Sequence, residues 1–233
     1  MFQASLLDDT DEGGPRPLSS ARRTRLAHGA WVDVLPGWLP GADALFERLL
    51  TSVPWRAERR HMYDRVVDVP RLLAFYDERD ELPDPVLDEL KAALNDHYAA
   101  ELGEPFRTSG LCLYRDGRDS VAWHGDRIGR GATEDTMVAI LSLGTPRPLL
   151  LRPRNAPHPN STTPTNRSPT HGGASGNGSS AGERGGTVRF EVGHGDLVVM
   201  GGSCQRTWEH AVPKSARATG PRISVQFRPR GVR

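Results

Sequence analysis

A series of short apolar or alternating runs in the second half of the chain constrains its fold more than any other feature. Turn-forming pairs such as Asp116-Gly117 and Gly201-Gly202 separate these runs. Many short strands spaced by turns are typical of a β-sandwich or a jelly roll. The predicted strands are Leu111–Tyr114, Met137–Leu143, Pro148–Arg152, Thr187–Val192, Asp196–Met200, Glu209–Val212 and Arg222–Phe227.

Two segments in the first half show helical spacing instead. Gly41–Val53 places leucines on one helical face, and Asp84–Leu102 is a longer amphipathic stretch. Asp84 can accept hydrogen bonds from the first turn, Pro85 fits the first helical position, and Gly103 favours termination. Because these helices precede most of the strands, the sequence predicts an α+β class with a β core.

The 233 residues are enough for one domain with a sizeable core. Residues 1–26 are mostly polar and are predicted to form a flexible N-terminal arm. Residues 155–186 contain no large apolar side chain, so they cannot bury enough surface to offset the entropy of ordering. We therefore expect a single domain over residues 27–233 that carries a disordered insertion at about 155–186.

The formal net charge of +1 does not indicate a partner, but basic residues cluster at Arg56–Arg65 and from Arg206 to the end. Such clusters suit a polyanionic partner, and they suit an ordinary solvated surface equally well.

The cysteines and the hydropathy of the chain bear on its location. Cys112 and Cys204 lack a CxxC spacing, which favours two unpaired thiols in a reducing cytoplasm. No run approaches the ~20 apolar residues of a membrane span. The sequence predicts a cytoplasmic protein without membrane attachment, and we expect a monomer.

The motif Trp123-His124-Gly125-Asp126 is the central chemical signal. In an extended segment the first and third side chains of His-x-Asp point the same way, so an imidazole and a carboxylate can share a metal. A later strand can bring His210, from Trp208-Glu209-His210, alongside them. Two histidines and one carboxylate on one face of a metal form the facial triad of non-haem Fe(II) oxygenases.

Arg222 and Arg228 close the last predicted strand, and their even spacing places them on the same face. If that face is buried, the arginines require an anion, because an unpaired buried charge is costly. A dicarboxylate cosubstrate would supply one, and arginine suits bidentate pairing with carboxylates. The alternative is an edge strand whose arginines are solvated.

The strings LCLYRDGRDSVAWHGD, MVAILSLG, HGDLVVMGGSCQRTWEHAVPK and RISVQFR together resemble the AlkB family of Fe(II)- and 2-oxoglutarate-dependent dioxygenases. The resemblance extends from about residue 55 to residue 228. It implies an α+β fold with a double-stranded β-helix (jelly-roll) core and N-terminal helices packed on the sheet. It also implies Fe(II) as the metal, with 2-oxoglutarate and O2 as cosubstrates.

The resemblance assigns roles residue by residue. The iron ligands would be His124, Asp126 and His210. The 2-oxoglutarate site would include Tyr114, with Arg222 at the distal carboxylate, Arg228 nearer the metal, and Ser224 between the two arginines.

Three positions of that site depart from the family pattern. The family places an asparagine where this chain has Cys112, and it usually places Asn and Thr where Ser224 and Gln226 stand. The hydrogen bonds around the cosubstrate therefore change, while the ion pairing can persist.

The function implied by the resemblance is oxidative dealkylation of N-alkylated bases in nucleic acid, a DNA repair reaction that releases succinate, CO2 and formaldehyde. The partner would be alkylated DNA or RNA. The candidate substrate contacts are Met62, Tyr63, Phe75, Tyr76 and Arg127. For Phe75 and Tyr76, ordinary core packing is the competing interpretation.

The residues are also compatible with two other functions. Base-repairing relatives often carry an acidic residue shortly after the metal-binding aspartate, whereas Arg127 follows here. A hydroxylase or demethylase of the same chemistry that acts on protein or a small molecule is therefore an alternative. A jelly-roll binding module without catalysis is another, although it would not need the anion pocket around Arg222.

Overall fold

The computed structural model describes residues 14–62, 65–126, 130–154 and 186–232, and only the backbone of residues 60–62, 65–68 and 130. Its strands are β1 (Arg22–Arg25), β2 (Ala30–Leu35), β3 (Arg56–Met62), β4 (Arg65–Tyr76), β5 (Thr108–Tyr114), β6 (Val121–His124), β7 (Val138–Gly144), β8 (Arg147–Pro153), β9 (Val188–Val192), β10 (Asp196–Gly202), β11 (Trp208–Val212) and β12 (Arg222–Arg228). Its α-helices are α1 (Ala42–Ser52), α2 (Pro85–Leu102) and the short α3 (Cys204–Thr207).

The strands form two antiparallel sheets. The major sheet has the order β1-β2-β10-β7-β12-β5-β4-β3, and the minor sheet has the order β6-β11-β8-β9. This arrangement confirms the predicted α+β jelly-roll class. Each predicted strand of the second half is present, with bounds that differ by up to three residues.

The alternation of side chains along the major sheet separates two apolar cores. On β12, Ile223, Val225 and Phe227 pack with the leucines of α1 and α2 on the outer face. Between the sheets lies a second core, in which Ile140 of β7 packs with Leu149 of β8. The helices therefore shield one face of the major sheet, and the other face is available for the site.

Helix α2 begins and ends as its sequence predicts. The Asp84 carboxylate accepts a hydrogen bond from the Val86 N–H at 3.1 Å, and Pro85 is the first helical residue. Gly103 follows the helix with a φ of +67°, a value at which other residues are strained.

The first half contains strands that sequence periodicity did not indicate. β3 and β4 pair as a hairpin at one edge of the major sheet. β3 reads RAERRHM, in which polar residues dominate, so the alternation that marks a half-buried strand is missing. Backbone pairing with β4 defines β3 as a strand.

The predicted flexible arm, residues 1–26, needs correction in its second half. Residues 22–25 form β1, which pairs with β2, and the Arg23 guanidinium binds the buried Asp33 carboxylate at 2.8 Å. The ion pair and the backbone pairing hold this segment on the sheet. Residues 1–13 and nearly all of the predicted insertion, 155–185, lie outside the described residues.

None of the helices in the described part of the chain is both long enough and apolar enough to cross a membrane.

Replacement of Asp84 by alanine should lower the free energy of unfolding by about 1–2 kcal/mol, since it removes the cap of α2. It also removes the partner that binds Arg48 Nε at 2.6 Å. Urea unfolding of both proteins measures the difference. Asp88→Ala is the matched control, because its ion pair with Lys91 is exposed and its loss should cost less than about 0.5 kcal/mol.

Candidate metal centre and cosubstrate pocket

The three predicted metal ligands lie together at one end of the minor sheet. His124 ends β6, Asp126 follows two residues later, and His210 on β11 is paired directly opposite His124. Each residue can offer a ligand atom such that all three atoms lie within 4.8 Å of one another. Strand pairing thus joins a local motif to a residue more than 80 positions away in the chain.

The orientation of His124 suits a metal ligand. Its Nδ1 lies 2.9 Å from the Ala122 carbonyl oxygen, which can only accept, so this contact selects the neutral tautomer with its proton on Nδ1. The lone pair is then on Nε2, which lies 3.6 Å from Asp126 Oδ1. The His124 and His210 ring centroids are 4.2 Å apart.

The charge state of the cluster also favours a cation. Burial alone would raise the pKa of Asp126, but the positive groups around it, chiefly Arg228, hold that pKa well below its usual range. Burial, together with the proximity of His124, lowers the pKa of His210 to about 3. At neutral pH the cluster therefore presents one carboxylate and a neutral His210 ring.

The other end of the pocket is cationic. Arg222 is 3% exposed, and its Nε donates to Ser142 Oγ at 3.0 Å. Its guanidinium carbon lies 5.2 Å from the centroid of the Tyr114 ring. Arg222 Nη1 is buried and has no hydrogen-bond partner among the described residues. A buried guanidinium with an unused donor requires an acceptor from a ligand.

A cavity of about 800 Å³ between the sheets connects the two ends. The metal cluster, Tyr114, Arg222, Ser224 and Arg228 all line it. The arginines of β12 thus face a ligand cavity, and the alternative of a solvated edge strand is wrong, because β12 lies between β5 and β7.

The predicted substrate residues separate in the structure. Phe75 lines the cavity and is 43% exposed. Tyr76 also lines the cavity, and it is partly buried against the helix-side core, which agrees with the packing interpretation. Successive side chains of a strand point to opposite faces of the sheet, so Phe75 and Tyr76 of β4 have different surroundings. The side chain of Met62 and all of Tyr63 and Arg127 lie outside the described residues.

Comparison with known proteins agrees with this geometry. The family model described as 2OG-Fe(II) oxygenase superfamily matches residues 32–228. The chain belongs to the 2OG-Fe(II) oxygenase superfamily. Within this superfamily it is similar to AlkB proteins, which agrees with the resemblance found in the sequence.

Its similarity to individual AlkB proteins is moderate. Alpha-ketoglutarate-dependent dioxygenase alkB homolog 3 of Bos taurus is 30% identical over 210 residues, which cover 84% of this chain and 65% of that protein. DNA oxidative demethylase ALKBH2 of Arabidopsis thaliana is 28% identical over 230 residues, which cover 90% of this chain and 69% of that protein. This chain therefore spans less than two thirds of the length of the alkB homolog 3 relative.

Solved structures share the fold. OsALKBH1 superposes with a TM-score of 0.51 at 13% identity, over 84% of this chain and 97% of that one. An oxidoreductase of the 2OG-Fe(II) oxygenase family from Burkholderia pseudomallei gives a TM-score of 0.50 at 12% identity, over 84% of each chain. At these identities the likeness concerns the jelly roll alone.

The AlkB-family cofactors fit the residues present. Two imidazoles and a carboxylate on one side of a cavity are the donor set that non-haem Fe(II) prefers. The unused Arg222 Nη1 fits one carboxylate of 2-oxoglutarate. Burial raises the pKa of Tyr114, so its hydroxyl stays protonated and can donate to the same carboxylate.

Two polar side chains that the sequence analysis missed also belong to this region. Arg71 of β4 lines the cavity, and its Nε has no hydrogen-bond partner among the described residues. Its same-face spacing with Phe75 was the available signal. Gln205 Oε1 accepts the Asp126 N–H at 3.1 Å, and no feature of the sequence marks this contact.

Arg222→Met should weaken 2-oxoglutarate binding at least about 30-fold, because truncation of one partner in a buried charge pair costs about 2–5 kcal/mol. Anaerobic calorimetry with Mn(II) in the metal site measures the dissociation constant. Arg118→Gln is the control, since that arginine is exposed on the loop after β5 and outside the cavity. Equal affinities in the two variants would contradict the assigned carboxylate site.

Proposed function

We propose that this protein removes alkyl groups from nitrogen atoms of nucleic-acid bases by Fe(II)- and 2-oxoglutarate-dependent oxidation. The observation that carries the proposal is a single cavity with three features. It holds the His-Asp-His cluster at one end, a buried guanidinium whose Nη1 has no partner among the described residues at the other, and an exposed aromatic ring at its margin. The relative from Arabidopsis thaliana is a DNA oxidative demethylase, which supports the substrate class.

The size and lining of the cavity suit two ligands together. About 800 Å³ lies within the usual range of roughly 300–1,000 Å³ for small-molecule sites. Apolar side chains of Ile140, Leu149 and Val198 line part of the walls. A base inside a duplex cannot reach such a site, so the substrate must be single-stranded or flipped.

Each end of the cavity performs a separate task in the reaction. Fe(II) held by His124, Asp126 and His210 would supply the oxidising power from O2 and 2-oxoglutarate, and succinate, CO2 and formaldehyde would be the products. Asp126 keeps a negative charge at the cation, since its pKa is held low. Arg222 and Tyr114 hold the far carboxylate of the cosubstrate, which orients its other end toward the cluster.

The central test is formaldehyde release from methylated single-stranded oligonucleotides in the presence of Fe(II) and 2-oxoglutarate. The panel includes 1-methyladenine and 3-methylcytosine in both DNA and RNA. Wild-type protein should release formaldehyde in step with succinate, and Asp126→Ala should release none. Succinate formed only with a protein or small-molecule substrate would replace this proposal by the hydroxylase alternative.

Phe75 is the proposed stacking platform for the base. Phe75→Ala should raise the KM for a methylated oligonucleotide about 10-fold, because base–aromatic stacking contributes about 1–3 kcal/mol. The KM for 2-oxoglutarate should stay constant. Phe190→Ala is the control, because Phe190 lies on β9 and does not line the cavity. An unchanged oligonucleotide KM in Phe75→Ala would rule out the platform.

We also propose a monomeric, cytoplasmic protein. Both cysteines are free and buried, which agrees with a reducing compartment. Light scattering coupled to size-exclusion chromatography tests the monomer, and fractionation of the producing cell tests the location.

A further inference from the structure

The three positions at which this sequence departs from the AlkB pattern form one hydrogen-bonded group. Gln226 Nε2 donates to Ser224 Oγ at 3.0 Å and to Cys112 Sγ at 3.3 Å. The pairing of β12 with β5 places Ser224 directly opposite Cys112. The three departures therefore lie together and are joined by the side-chain amide of Gln226.

The carbonyl oxygen of the same amide faces the metal end. Gln226 Oε1 accepts a hydrogen bond from Arg228 Nη2 at 2.7 Å. A guanidinium can only donate, so this contact fixes which end of the amide is oxygen. The nitrogen end then faces the hydroxyl and the sulfur, both of which can accept. The orientation of Gln226 follows from its partners on both sides.

Arg228 extends this chain of contacts to a metal ligand. Its Nε donates to Asp126 Oδ2 at 3.1 Å, and its side chain is only 12% exposed. The other carboxylate oxygen, Oδ1, lies 3.6 Å from His124 Nε2. One oxygen of Asp126 is therefore engaged by the arginine, and the other remains directed toward the histidines.

Gly110 leaves the space that this arrangement needs. A Cβ atom at this position would lie 2.7 Å from Arg228 Nη1. The guanidinium is thus confined by the Gly110 backbone on one side and held by Gln226 and Asp126 on the others. Arginine has several rotatable bonds, and these contacts select one orientation.

We propose that Gln226 is a positioning residue for the metal site. Held by Cys112 and Ser224, it orients Arg228 so that Asp126 presents Oδ1 alone to the cation. If Gln226 Oε1 were removed, Arg228 Nη2 would have no acceptor in a largely buried position. The guanidinium would then turn toward other acceptors, Asp126 Oδ1 included. The inference rests on the metal site of the proposed function and is independent of the substrate.

The test is Co(II) binding to the full chain, which requires neither cosubstrate nor turnover. Gln226→Met preserves size and shape but removes both polar atoms of the amide. Its Co(II) affinity should fall about 10-fold, the lower end of the effect of residues that orient metal ligands. The visible absorption of bound Co(II) should also change, because the carboxylate is no longer restricted to one oxygen.

Leu50→Met is the matched control, since Leu50 of α1 packs on the helix side of the major sheet, outside the cavity, and methionine changes its volume little. Wild-type affinity and absorption in this control, with weakened binding in Gln226→Met, would support the proposal. Wild-type binding in a folded Gln226→Met, or an equal loss in both variants, would overturn it.

Gly110→Ala is the second variant, and it decides the question if Gln226→Met fails to fold. Its added methyl group displaces Arg228 from the opposite side, so weaker Co(II) binding would support the proposal and unchanged binding would overturn it. The experiments distinguish a failure of this proposal from a failure of the proposed base dealkylation. Normal Co(II) binding in the wild-type protein without formaldehyde release in the iron assay would refute base dealkylation only.

Discussion

The two-sided burial of β12 is the constraint on which the rest of the structure depends. This strand lies between β5 and β7, so neither of its edges reaches solvent. Its odd-numbered residues, such as Val225, pack against the helices, and its even-numbered residues line the cavity. A shift of one residue in its pairing would exchange the two sets and would place arginines in the apolar core. The apolar face thus fixes the position of every polar side chain on the other.

At the metal end of the cavity, protein groups compensate the buried charges. At the Arg222 end, a buried positive charge is available to pair with an anionic ligand. Arg228 pairs with Asp126, and both also have further partners. Among the described residues, Arg222 Nε donates to the Ser142 hydroxyl, and Nη1 has no hydrogen-bond partner. The energetic cost of leaving a buried donor unsatisfied makes the second end a site for an anion.

The fold was predictable where local periodicity and turn chemistry agree. The caps of α2 and the strands of the second half follow from a few residues each, because burial repeats with the period of the element. The hairpin of β3 and β4 was not predictable in this way. Its first strand is largely polar, and its conformation depends on backbone pairing at the edge of the sheet. β1 was missed for the same reason, since all four of its residues are exposed.

The sequence by itself determined the chemistry: His124 and Asp126 in one motif, a distal His210, and arginines with even spacing on the last strand. These residue types restrict the metal and the cosubstrate, because ligand preference belongs to the side chain. Tertiary structure decided which residues support them. The contacts of Gln226 with Cys112 and Arg228 depend on strand register, and the Gln205 contact with Asp126 depends on where the fold places α3. Register is set by the packing of the whole sheet, which no local stretch of sequence encodes.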